Sequence, residues 1–124
     1  MNEITFERLG ETIYEKILPN GLHVVILPKK GFNKTYVTFT TNYGSIDNRF
    51  IPFGKQEAID VPDGIAHFLE HKLFEKEDRD VFQDFSKQGA SANAFTSFTR
   101  TAYLFSTTEQ VKKNLLTLLD FVQN

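Results

Sequence analysis

Apolar residues recur along this chain in two periods, and the switches between them mark its elements. Residues 12–18 and 22–27 read as two strands joined at Leu18-Pro19-Asn20-Gly21. Asn-Gly is a strong hairpin signal because both residues tolerate positive φ. Residues 35–43 alternate, with Val37, Phe39 and Tyr43 on one face and Tyr36, Thr38, Thr40 and Asn42 on the other, which predicts a half-buried strand ending at Gly44-Ser45. Residues 46–62 carry Pro52, Gly54 and Pro62 and read as a loop. The period then changes to helical. Asp63 is a candidate N-cap for a helix reaching Phe74, and Asp80 starts a second helix to Gln88, with Val81, Phe82 and Phe85 as its apolar face and Gly89 as a left-handed C-cap. Residues 91–96 and 99–106 return to strand alternation. A capping box of Thr107 and Gln110 predicts a last helix with the stripe Val111, Leu115, Leu118, Leu119 and Val122.

The order β-β-β-α-α-β-β-α is an α+β plan, a mainly antiparallel sheet with helices packed on one face. The length of 124 residues suits one domain with one core. Met1 to Thr12 is polar and acidic, predicts no element, and lacks the plan of a secretory signal.

Composition narrows the function by exclusion. A net charge of −2 gives no reason to expect nucleic acid or an anionic membrane surface as partner. No apolar run is long enough for a transmembrane helix. The absence of cysteine removes disulfides, thiolate ligands and a cysteine nucleophile, and fits a cytoplasmic protein. Phe occurs 13 times and Trp never, so most of those rings are expected in the core.

Chemistry concentrates on the helix from Asp63 to Phe74. His67 and His71 stand one turn apart and Glu70 falls on the same side. Ile65, Phe68, Leu69 and Leu73 take the other side, where burial against the sheet is expected, and Lys72 interrupts that arc. Two imidazoles at i and i+4 can reach one zinc ion, and a catalytic zinc takes three protein ligands and a water. A neighbouring carboxylate can then accept the water's proton. The order is the inverted His-x-x-Glu-His, with Glu immediately before the second His. His23, between Leu22 and Val24, is expected to be an ordinary strand residue.

The stretch Gly64-Ile65-Ala66-His67-Phe68-Leu69-Glu70-His71-Lys72-Leu73-Phe74 resembles the signature of the pitrilysin family of zinc metallopeptidases, including its processing-protease-like members. Asn20-Gly21-Leu22, Gly44-Ser45 and Gly89-Ala90-Ser91-Ala92-Asn93-Ala94-Phe95-Thr96 match the family in order along nearly the whole chain. The resemblance implies zinc held by His67 and His71, Glu70 as general base, and substrate backbone pairing along Asn93, Ala94, Phe95 and Thr96. Under that expectation the Phe95 N–H would face the cleft. It also implies a peptide substrate and either a second family subunit or self-association. The family's third ligand is a Glu well after the second His, so residues 1–124 are expected to be the N-terminal part of the zinc-binding peptidase domain, truncated before that ligand and inactive alone. Glu109 lies too early to serve. Lys72 stands where many members have Met, Asn48 where an acidic residue is common, and the stretch from Ser45 to Gly64 is longer than usual.

Two other readings are weighed. A non-catalytic, peptide-binding or supporting subunit of the same family would usually carry a degraded motif, whereas His67, Glu70 and His71 are all present. The S-ribosylhomocysteine lyases share the inverted motif but need cysteines that this chain lacks.

Overall fold

The computed structural model describes residues 1–77 and 79–123. The chain divides into two compact units, Met1–Phe32 and Asn33–Asn124. The first is a three-stranded antiparallel sheet of β1 (Asn2–Phe6), β2 (Glu11–Ile17) and β3 (His23–Ile26), in that order. The β2–β3 turn forms at the predicted place: Gly21 adopts φ 85° and its N–H donates to Leu18 O at 2.8 Å. The Asn20 side chain accepts from Leu22 N at 3.1 Å. Strand β1 was not predicted. Ile4 and Phe6 alternate with Glu3 and Thr5, but over too few residues to outweigh the polar composition, and pairing with β2 (Ile4 opposite Ile13) completes the strand. His23 is exposed, with Nε2 3.2 Å from Glu15 Oε2, as an ordinary strand residue would be.

The second unit carries the core. Strand β4 (Thr35–Thr41) pairs with β8 (Thr101–Thr107), which pairs with β7 (Ala90–Thr96), all antiparallel. Within 46–62, the expected loop holds a short hairpin of β5 (Arg49–Phe50) and β6 (Ile59–Asp60). The helices are α1 (Ile65–Phe74), α2 (Val81–Lys87) and α3 (Val111–Phe121). Register places Val37, Phe105 and Ala92 in one row and Phe39, Tyr103 and Ala94 in the next. This face meets the helices, where Phe74, Val81, Phe85, Leu118 and Phe121 close the core. The antiparallel pairing and one-sided helix layer are those the patterning predicts, although among the described residues the strands form three sheets rather than one.

The Phe bias needs correction. Only Phe74, Phe85, Phe105 and Phe121 are buried, while Phe6, Phe32, Phe53, Phe68, Phe82, Phe95 and Phe98 are exposed. Two caps also differ. Gly64, at φ 85°, replaces Asp63 as the N-cap of α1, because Asp63 accepts from the Asn48 side chain. The Thr107–Gln110 capping box does not form: Thr107 ends β8, its hydroxyl binds the Glu109 backbone, and Gln110 is a left-handed N-cap (φ 51°) with no side-chain cap. Asp80 does cap α2, accepting from Phe82 N at 2.9 Å.

Gly44 is buried where no other residue fits. A Cβ there would lie 2.4 Å from Phe98 O. Its absence lets the chain lie on the β7–β8 turn, where Ser45 N donates to Ser97 O (2.9 Å) and Ile46 N to Phe98 O (3.1 Å).

Candidate active site

Helix α1 contacts β7 through a face that periodicity alone misassigns. Its buried residues are Ala66, Glu70 and Phe74, spaced i, i+4, i+8, whereas Phe68 and Leu69 are exposed. The expected apolar arc therefore does not bury as a whole; Leu73 packs partly against the core. The carboxylate turns inward because β7 offers it a partner. Thr96 Oγ1 donates to Glu70 Oε2 at 2.5 Å, in the range of a charge-assisted O–H···O⁻ bond. Glu70 is 8% exposed.

His67 and His71 lie on the exposed flank beside it. Their Nε2 atoms are 3.0 Å apart, close to the spacing of two ligands sharing one ion with Zn–N distances of about 2.0–2.1 Å. Both Nε2 atoms can face one ion when the ring hydrogen of each imidazole sits on Nδ1. The donor set thus fits zinc. Among the described residues no third His, Cys, Asp or Glu joins the pair. Lys72, which interrupts the apolar arc of α1, donates to Glu75 Oε2 at 2.7 Å and lies 5.9 Å from the Phe68 ring centroid. That pairing holds the Glu75 carboxyl below its ordinary range.

The three side chains open onto a cleft of about 620 Å³, also lined by Phe74, Glu75, Asp80, Phe82 and Asn93 to Thr96. That volume lies within the roughly 300–1,000 Å³ of small-ligand sites. Its wall includes the stacked rings of Phe74 and Phe82, 4.1 Å between centroids. Tyr103, 5% exposed, packs on Phe74, and its phenol is pushed up to about 12, first by burial and then by the Glu70 charge. Sequence reasoning missed Glu75, Asp80, Phe82 and Tyr103 as neighbours of the motif. Alternation marks Tyr103 as inward-facing, but only the β7–β8 register sets it near Glu70.

Strand β7 is an edge: among the described residues it pairs only with β8. Across the hairpin Ser97 N donates to Arg100 O at 2.8 Å, so these residues form a hydrogen-bonded pair. Such pairs alternate along an antiparallel ladder, which makes Phe95–Ala102 and Asn93–Leu104 the next ones. The Phe95 N–H is therefore directed at β8, not the cleft, and the expectation on this point is corrected. Ala94 and Thr96 turn their N–H groups to the free edge. The Ala94 N–H is covered by the neighbouring Asn93 Oδ1 at 2.8 Å.

An edge strand beside a His-Glu-His helix, on an antiparallel sheet with helices on one face, is the arrangement the pitrilysin resemblance implies. Residues 50–124 match the family Insulinase (Peptidase family M16), and the chain belongs to that family. It is 74% identical over 121 residues, 98% of this chain and 28% of the other, to a protein of Bacillus subtilis (strain 168) named uncharacterized zinc protease YmfH. A zinc protease of the same organism by name, AlbF, is 42% identical over 65 residues, 52% of this chain and 15% of the other. In a crystal structure, an M16-like peptidase from Alicyclobacillus acidocaldarius superposes with a TM-score of 0.83 at 46% identity, covering 92% of this chain and 26% of that one. The matches thus span between 15% and 28% of these longer relatives. No described helix is long and apolar enough to cross a membrane.

Proposed function

We propose that this chain carries the zinc and general-base half of a metallopeptidase site that hydrolyses short or unfolded polypeptides. The supporting observation is a buried carboxylate, Glu70, held as a hydrogen-bond acceptor beside two converging imidazoles and next to a free strand edge. His67 and His71 would hold the ion through Nε2. Zinc, when bound, supplies Lewis acidity and acidifies a coordinated water. Glu70 Oε2 is engaged by Thr96, which leaves Oε1 to take a proton from the attacking water and return it to the leaving amine. The edge of β7 accepts an extended peptide as an added strand, so affinity comes largely from backbone bonds that are indifferent to sequence. This reading also takes a third ligand from outside the described residues, and a second subunit or a second copy that covers the cleft. The cytoplasmic setting is part of the same reading.

The full-length protein should hydrolyse an unfolded polypeptide, lose that activity on chelation and regain it with added zinc. Hydrolysis that persists in protein shown by metal analysis to be zinc-free would overturn the proposal.

The outward donors allow a second measurement. Ala94→Pro removes an edge N–H without breaking the β7–β8 ladder, since Pro is tolerated on edge strands. Loss of one such bond should lower kcat/KM for peptides by about tenfold, or ~1.4 kcal/mol. Phe95→Pro instead breaks the ladder and should chiefly lower stability. An Ala94→Pro enzyme that is folded by circular dichroism and has unchanged kcat/KM would place substrate elsewhere.

A further inference from the structure

Thr96 stands in the strand proposed above to pair with substrate, and its side chain turns to Glu70. Its hydroxyl donates to Glu70 Oε2 at 2.5 Å, and it is the hydrogen-bond partner that the described residues offer this carboxylate. We propose that Thr96 is the positioning residue of the general base: it fixes the Glu70 carboxylate so that one oxygen is held and the other is presented to the reacting water. The inference rests on the peptidase reading above and assigns Thr96 a role other than substrate contact.

Three observations support it. Glu70 has three side-chain torsions, and a buried carboxylate with one anchored oxygen loses most of that freedom. Thr is β-branched and stiff at χ1, so its strand sets where the hydroxyl points more firmly than it would for Ser. The strand is itself anchored at this level. Thr96 pairs with Thr101, which is 2% exposed and donates from its hydroxyl to Tyr43 O at 2.7 Å. The anchor for the base thus runs from Tyr43 through β8 to β7. Thr96 also turns its N–H to the free edge, by the same alternation that turns out Ala94. One residue would then meet the peptide backbone through its main chain and hold the base through its side chain. Docking a peptide on the edge and placing it against Glu70 become a single geometric event.

The test uses the full-length zinc-loaded protein. Thr96→Val keeps the shape and strand propensity but removes the hydroxyl. Its kcat should fall about 10- to 100-fold, the usual cost of losing an outer-shell partner, while KM and zinc affinity (by chelator competition) change by less than about twofold. Thr96→Ser should recover most of the loss. In a Glu70→Gln background Thr96→Val should cost nothing further, because the group it positions has already lost its basicity. An unchanged kcat in Thr96→Val, a rise in KM alone, or full additivity with Glu70→Gln would each overturn the proposal. A crystal structure of Thr96→Val gives a readout independent of turnover. Glu70 should leave its present rotamer, and a Glu70 carboxylate that stays in place overturns the positioning role. Should the wild-type protein show no zinc-dependent hydrolysis, the peptidase reading fails, and this structural comparison alone decides whether Thr96 holds Glu70.

Discussion

Glu70→Gln should leave zinc content at the wild-type level and lower kcat for peptide hydrolysis by about 10²- to 10⁴-fold. The amide has the shape of the carboxylate, and its oxygen can still accept the Thr96 hydroxyl that now binds Oε2. The side chain therefore keeps its place between the strand and the imidazole pair. What it loses is the ability to take a proton. His67 and His71 are untouched, so their affinity for the ion should stay near that of the wild type. Metal analysis together with single-turnover hydrolysis separates the two effects. A Glu70→Gln protein with full zinc occupancy and near-wild-type kcat would sink the base assignment, and one that loses zinc would make Glu70 a ligand instead.

Phe85→Ala should cost about 3–5 kcal/mol, a large share of the roughly 5–15 kcal/mol that holds a domain folded. Phe85 is fully buried on α2, its ring 5.6 Å from Phe105 and 6.0 Å, edge-on, from Phe121. Helix, strand and last helix all close on this ring, and little around it can collapse into the space it leaves. Phe53 is the natural control. It is wholly exposed on the 46–62 stretch, and Phe53→Ala should change stability by no more than about 0.5 kcal/mol. Urea unfolding of both variants checks this, and a loss below about 1 kcal/mol for Phe85→Ala would mean that this cluster does not carry the core.

These cases show where sequence reasoning reaches and where it stops. The His67–Glu70–His71 group was legible because all three residues sit on one helix, where spacing alone fixes their relation. Strands β4 and β8 were legible because alternation survives without tertiary information, whereas the faces of α2 and α3 were legible only in part: Val81, Phe85 and Leu118 are buried as read, but Phe82 and Val111 are exposed, and Asn114 and Phe121, outside the stripe read from the sequence, are buried. The buried face of α1 was not. Phe68 and Leu69 look like core by composition, but the surface that α1 meets is strand β7 with its Thr96 hydroxyl, and a hydrogen-bonding neighbour draws in Glu70 instead. The direction of the Phe95 N–H was also hidden, since it depends on which pair closes the β7–β8 turn. Strand β1 and the β5–β6 hairpin escaped because two to five residues carry too little periodicity to stand out.

The open edge of β7 has a cost outside chemistry. A row of outward backbone donors and acceptors will pair with any extended chain, and a strand from another copy of the same protein is one of them. Edge strands of this kind seed aggregation unless something blunts them. Here the Asn93 amide, by covering the Ala94 N–H with its own oxygen at 2.8 Å, acts as a small gatekeeper. It withholds one hydrogen bond from a stray strand, and a ligand carbonyl in the same place would have to displace it. If β7 takes a peptide as proposed, solubility and peptide capture are set against each other on one strand, and Asn93 bears on both.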